Sequence, residues 1–185
     1  MGSLIEDLTL LSRFDAGRAE LGKSEVDLCR FVMSMTQQMQ AEAAAKNIAI
    51  QLNLPPKLIP INGSINHLTV AFRNVLDNAI KYTSEGGTIT WRISEDIDYV
   101  RVVIEDTGQG IEATSLEHVF ERFFRADKAR SRQVPGTGLG LALVQSIVQA
   151  YGGQITVESK GFNLGTTVTI CWPYQVQQDP HEPLQ

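Results

Sequence analysis

The chain has 185 residues, 43% hydrophobic and 20% charged, enough for one well-buried domain with a short appendage. Its formal net charge of −5 excludes a general polyanion binder, because affinity for nucleic acid rests on a surplus of Lys and Arg facing phosphates. Cys29 and Cys171 lie far apart and match no metal or redox spacing, no apolar run approaches the roughly 18 residues of a membrane span, and no signal segment opens the chain. These features fit a soluble protein in a reducing compartment, and the opening "MGS" reads as a remnant at the head of an excised piece.

Residues 4–11 carry Leu4, Ile5, Leu8, Leu10 and Leu11 at helical spacing, and "DAGR" breaks the pattern. A second helix is predicted over 26–46, with Leu28, Phe31, Val32, Met35 and Met39 on one side. "NIAIQLNLPP" alternates Ile48, Ile50, Leu52 and Leu54 as a strand stopped by Pro55 and Pro56, and "KLIPIN" is a short companion strand. Ser64 is placed to cap a helix over 65–82, which Gly86 and Gly87 end. Two strands follow, "TITWRIS" and "YVRVVIED", the second with a continuous apolar run at 102–104 that suits a central strand. A short helix over 113–122 leads into a segment rich in Arg, Gly and Ser without a period; then come a helix over 139–151 and a closing hairpin of "QITVES" and "GTTVTICW". The tail from Gln175 reads as disordered. Because hairpins dominate the second half, the predicted class is α/β in an α+β two-layer arrangement, not a doubly wound parallel sheet.

Within the 65–82 helix, Asn74, Asn78 and Lys81 stand at i, i+4 and i+7 and share one face, while Leu76, Ala79 and Ile80 occupy another. An Asn oxygen suits a hard cation such as Mg²⁺, and a Lys one turn on supplies a point charge for phosphate; a solvated helix face carries the same residues. Asp77 receives no role and is expected on the solvent side. "DTGQGI" puts Asp106 at the end of a buried strand, where a carboxylate can accept from the exocyclic amine of a purine, and Gly108 and Gly110 let backbone approach a ligand. As structure alone it is a strand-to-helix turn. "GTGLGLALV" runs Gly136, Gly138 and Gly140 into a helix, and consecutive amides ahead of a helix N-terminus cradle phosphate. It is neither a Rossmann fingerprint, since no strand directly precedes it, nor a Walker A loop, since "GK[ST]" is missing.

Between these stretches, Arg122, Arg125, Lys128, Arg130 and Arg132 suggest a flap that closes over a triphosphate, although an exposed basic loop has the same composition. Phe120, Phe123 and Phe124 are expected to anchor the flap to the core rather than stack on a base. In this order the elements would all serve one purine nucleoside triphosphate with Mg²⁺.

The chain at this point resembles a known family: the catalytic, ATP-binding domain of two-component sensor histidine kinases, within the superfamily shared with type II topoisomerase, Hsp90 and MutL ATPases. "NVLDNAIKYT" resembles its N box, "DTGQGI" its G1 box, "VFERFFRAD" its F box and "GTGLGLALV" its G2 box. The resemblance implies a Bergerat fold, a mixed sheet of about five strands backed by about three helices, with an ATP lid. It also implies roles: Asn78 as Mg²⁺ ligand, Asn74 near the γ-phosphate, Lys81 on phosphate, Tyr82 beside adenine and Asp106 receiving the adenine amine, helped by Gly108 and Gly110. Arg125 and Arg130 would be lid cations, and Gly136, Gly138 and Gly140, with Thr137 and Leu139 between them, would hold phosphates by their amides. Asn74 and Arg125 would be the catalytic pair. Asn at position 74, where topoisomerase-type relatives carry a water-activating Glu, favours phosphotransfer over hydrolysis, because an amide cannot serve as a general base.

Residues 1–22 resemble the end of the dimerisation hairpin's second helix plus a linker, 23–174 the catalytic domain, and 175–185 a tail. None of His67, His118 and His181 stands in the family's phosphoacceptor motif, so the resemblance implies a catalytic part that phosphorylates a His on a dimerisation domain outside this chain. The implied ligands are ATP and Mg²⁺; the implied partners are that domain and a response regulator, with no nucleic acid, no membrane contact by this chain and a cytoplasmic location. A Ser kinase of the anti-sigma type, an ATPase of the same superfamily and a nucleotide-responsive interaction module are the alternatives.

Overall fold

The computed structural model describes residues 4–126 and 136–173. Helix α1 (Leu4–Asp15) precedes β1 (Glu25–Asp27), α2 (Leu28–Ala44), β2 (Ala49–Asn53), β3 (Pro60–Asn62) and α3 (Ile65–Tyr82). Then follow β4 (Thr88–Glu95), β5 (Tyr99–Asp106), α4 (Ala113–Leu116), α5 (Gly140–Ala150), β6 (Gln154–Glu158) and β7 (Thr166–Pro173). The main sheet has five strands in the order β2-β4-β5-β7-β6, with β2 parallel to β4 and every other pair antiparallel. This is the expected mixed sheet of an α/β two-layer fold.

One face of the sheet is apolar at every second residue. Ile89, Trp91 and Ile93 of β4, Val100, Val102 and Ile104 of β5, and Val168, Ile170 and Trp172 of β7 are all buried. Strands alternate sides at each residue, so one face packs on the helices while Arg92, Arg101 and Glu105 point the other way. The apolar run at 102–104 lies on the central strand as predicted, but Val103 faces the open side. Against the apolar face lie Leu68, Ala71, Phe72, Val75, Leu76, Ala79 and Ile80 of α3 and Leu143, Val144, Ile147 and Val148 of α5, each spaced to cover one helix side.

The structure differs from the sequence reading in the start of the second helix, in a strand pairing and in the length of the helix after β5. Glu25–Asp27 is a strand rather than helix, because Val26 pairs with Ile61, and Asp27 then caps α2 by accepting from the Cys29 amide at 3.2 Å. "KLIPIN" accordingly partners β1, not β2. The helix after β5 is only Ala113–Leu116; turns replace the rest.

Helix α1 is part of the same core. Leu11 and Phe14 are buried, Phe14 meets the His67 ring edge-on at 5.0 Å, and Asp15 pairs with Arg122.

Candidate nucleotide site

A cavity of about 240 Å³ opens between α3, the loop after β5 and the start of α5. Four stretches far apart in sequence line it. From α3 come Asn74, Asp77, Asn78, Lys81 and Tyr82; from the end of β5 and its loop, Asp106, Gln109, Gly110 and Ile111; from the segment before the undescribed residues 127–135, Phe124, Arg125 and Ala126; and from the start of α5, Gly136, Thr137, Gly138, Gly140 and Leu141. Ile104, Val119, Val157 and Val168 add an apolar wall. Arg130 lies outside the described residues.

Asp106 reaches the cavity through the same alternation that builds the core. Val100, Val102, Ile104 and Asp106 are successive inward positions of β5, and the last is a carboxylate, buried to 9% exposure. Its Oδ1 accepts from the Gly108 amide at 2.8 Å and from the Thr166 amide at 3.2 Å. Among the described residues no protein group donates to its Oδ2, which leaves that oxygen for a ligand donor. Burial pushes this carboxyl above the usual carboxylate range, against the opposing pull of the two amides.

Glycines hold the loop after β5 close to its neighbours. A Cβ at Gly108 would collide with the Tyr82 carbonyl, and one at Gly110, where φ is +67°, with the Gly161 carbonyl. The hairpin between β6 and β7 fastens that loop from outside: Ser159 Oγ accepts from the Ile111 amide at 2.9 Å and donates to the Gly165 carbonyl at 2.7 Å.

On α3, Lys81 Nζ sits 2.6 Å from Asp77 Oδ2. This corrects the expectation that Asp77 faces solvent: it lines the cavity and is only 33% exposed. The spacing contained the reason, since a residue three after Asn74 and four before Lys81 falls on the same stripe. Asn74 donates through Nδ2 to the Val70 carbonyl at 2.8 Å. Its Oδ1 faces Gly140, at which a Cβ would lie only 2.7 Å away.

At the other wall, Arg125 Nη1 donates to the Gly136 carbonyl at 3.0 Å, and the Phe123 amide to the Gly138 carbonyl at 2.9 Å. Phe123 has φ of +61°, and Gly138, at +73°, lies so close to it that a Cβ would stand 2.7 Å from the Phe123 carbonyl carbon. The aromatic residues divide: Phe120 packs on the core as expected, Phe124 lines the cavity, and Phe123 is 59% exposed rather than anchored. Among the described residues no side chain caps α5, so its first amides face the cavity wall, where the helix dipole favours an anion.

Of the sequence candidates, Asn74, Asn78, Lys81, Tyr82, Asp106, Gly110, Arg125, Gly136, Thr137, Gly138 and Gly140 therefore line one cavity. Gly108 lies behind it and bonds Asp106, and Leu139 is fully buried in the core. The sequence reading missed Asp77, Gln109, Thr166 and Ser159; only the i, i+4 spacing to Lys81 could have singled out Asp77. His67 is held by Tyr151 Oη at 2.9 Å, His118 is exposed beside Glu121 at 2.7 Å, and His181 lies outside the described residues.

Fold and cavity together define a nucleotide-binding α/β sandwich in which helix, strand end and glycine loop meet around one pocket. The family model described as histidine kinase-, DNA gyrase B- and HSP90-like ATPase matches residues 63–176, and the chain belongs to this family, in its sensor histidine kinase branch. It is 34% identical to the sensor histidine kinase WalK of Bacillus subtilis (strain 168) over 95% of its own length and 29% of that protein's. It is 33% identical to the sensor protein kinase WalK of Staphylococcus aureus, over 95% and 42% of the respective chains. The chain thus spans less than half the length of these curated relatives. Among solved structures, the mycobacterial sensor histidine kinase MprB superimposes with a TM-score of 0.71 at 30% identity, covering 82% of this chain and 97% of that one. Full-length ShkA in complex with AMPPNP superimposes with 0.82 at 27% identity, covering 94% and 36%.

Proposed function

We propose that the chain binds Mg²⁺·ATP in this cavity and, within a longer protein, passes the γ-phosphate to a His on a dimerisation domain, which then supplies a response regulator. The observation that supports this most is the convergence of four separate sequence stretches on one cavity with a purine-type acceptor at one end and open amides at the other. Asp106 Oδ2 receives the adenine amine, the ring lies along Ile104 and Val168, and Tyr82 borders it. Arg125 and the amides of Gly136, Gly138 and Gly140 meet the phosphates, and Lys81 joins them by leaving Asp77.

The donor set fits Mg²⁺ bound mainly through phosphate. No group of three His, Cys, Asp or Glu side chains that could cage a metal occurs among the described residues, whereas Asn78 offers one neutral oxygen at the cavity wall. When bound, the ion neutralises phosphate charge and orients the chain of phosphates. Asn78 would hold it, with Asn74 beside the γ-phosphate and unable to activate water.

In the transfer, the bond between the γ-phosphorus and the β,γ-bridging oxygen breaks, ADP leaves with the electron pair, and a P–N bond forms at an imidazole that loses its proton. The protein's part is positioning and charge. Residues 1–22 belong, in this reading, to the end of the hairpin helix and its linker, and residues 23–174 to the catalytic domain. The domain works on the cytoplasmic side without membrane contact; no helix among the described residues is long and apolar enough to cross a membrane. Incubation with γ-labelled ATP and a His-containing dimerisation hairpin tests the reading. Acid-labile label on the hairpin is expected; acid-stable label would indicate Ser transfer, and release of free phosphate alone would indicate an ATPase.

A further inference from the structure

Lys46 belongs to none of the motifs and does not line the cavity described above. It is half-buried in the connection between α2 and β2, and its Nζ donates to the carbonyls of Ile80 at 2.8 Å, Lys81 at 2.9 Å and Thr83 at 3.4 Å. An ammonium has three N–H donors, and all are used on the end of α3.

A helix's last carbonyls lack intrahelical partners, and its dipole leaves negative charge there. At α3 every one of these groups is accounted for. Ala79 O accepts from the Thr83 amide at 3.0 Å, Lys46 takes the carbonyls of Ile80, Lys81 and Thr83, and Tyr82 O accepts from the Gln109 amide at 3.0 Å. The Tyr82 carbonyl, which lies between those that Lys46 holds, is the one that joins α3 to the loop of Gly108 and Gly110. Neighbouring bonds lock the same corner, from the Gly86 amide to Lys46 O at 3.2 Å and from Asn47 Nδ2 to Glu85 Oε1 at 2.8 Å.

We propose that Lys46 is a positioning residue for the nucleotide cavity: it fixes the final turn of α3 and, through Tyr82 O, sets the separation between Lys81 and Tyr82 on one wall and the Asp106–Gly110 loop on the other. It touches no nucleotide. The proposal rests on the nucleotide reading given above. Its residue type matters because only a multivalent cationic donor both satisfies several carbonyls and opposes the helix dipole.

The test is calorimetry of Mg²⁺·ATP with the parent chain, K46M and K46R, each shown by circular dichroism to be folded, with the Gln109 and Gly110 amide resonances followed in the nucleotide-free proteins. Affinity in K46M is expected to fall about tenfold, with both resonances displaced, while K46R returns to within about threefold of the parent. Should K46M fail to fold, K46Q, which keeps one amide donor group, takes its place. Unchanged affinity in the Met variant, unmoved Gln109 and Gly110 resonances, or an Arg variant as weak as the Met variant overturns the proposal. A parent that does not bind Mg²⁺·ATP overturns the nucleotide reading itself, and this proposal with it.

Discussion

Asn74 and Gly140 meet across the seam between α3 and α5 so closely that a methyl group on Gly140 would stand 2.7 Å from Asn74 Oδ1. The contact joins the helix carrying the polar stripe to the helix whose first turn forms the opposite wall. Gly140→Ala must push the Asn74 side chain aside, and we expect a loss of about 1–3 kcal/mol in unfolding free energy. In an Asn74→Ala background the same change should cost far less, because the obstructing amide is gone; a double-mutant cycle read by denaturant unfolding checks this. Gly136→Ala serves as the contrast, since among the described residues beyond its chain neighbours no atom lies within 4 Å of a Cβ there.

Asp106→Asn should separate stability from binding. The folded-state pKa is raised, so the folded protein holds the Asp106 proton more tightly than the unfolded chain does. Ionising it therefore costs stability above the folded pKa, and the cost disappears as pH falls toward the unfolded value of about 3.9. The Asn oxygen can still accept from the Gly108 and Thr166 amides. Thermal unfolding is expected to show the variant more stable than the nucleotide-free parent at neutral pH, with the gap closing on acidification. Nucleotide affinity should nevertheless collapse, because an amide N–H₂ would then face the adenine amine.

Asp77→Asn replaces the carboxylate that holds Lys81 at 2.6 Å with a neutral amide and so removes a negative charge from the cavity wall. If Lys81 must leave Asp77 to meet phosphate, Mg²⁺·ATP should bind about threefold more tightly, as measured by calorimetry at low salt. An accompanying loss of affinity would instead give Asp77 a direct part in holding the ligand.

His67 carries a pH dependence that can be isolated. Burial between Phe14 and Tyr151 lowers its pKa, and no charged neighbour among the described residues contributes to that shift. The unfolded chain then binds this proton more readily, so stability should fall as pH drops below the unfolded value of about 6.5. Thermal unfolding of the parent minus His67→Gln should show that slope. His118, whose pKa is raised by Glu121 and which therefore acts in the opposite sense, is common to both proteins and cancels.

Much of this architecture was legible because repeated spacings encode it. The α3 stripe, the alternating strands and the glycine stops all follow from the periods of helix and strand, and the order of the four boxes located the cavity. The failures have physical causes. A three-residue strand such as Glu25–Asp27 has no period to detect, so its pairing with Pro60–Asn62 depends on contacts distant in sequence. Ser159 and Lys46 act through single hydrogen-bonding groups on neighbouring backbone, which no composition or spacing marks. Asp77 is legible from its spacing to Lys81, yet the sequence reading places it on the solvent side, whereas it lines the cavity.

The most direct test of the central claim is a calorimetric titration of ATP into the parent chain and into Asn78→Ala, each with and without Mg²⁺. Binding by the parent that strengthens with Mg²⁺, together with a loss of at least about tenfold in the variant confined to the Mg²⁺ condition, is the expected result. Equal binding by both proteins in Mg²⁺, or no binding by the parent, would contradict it.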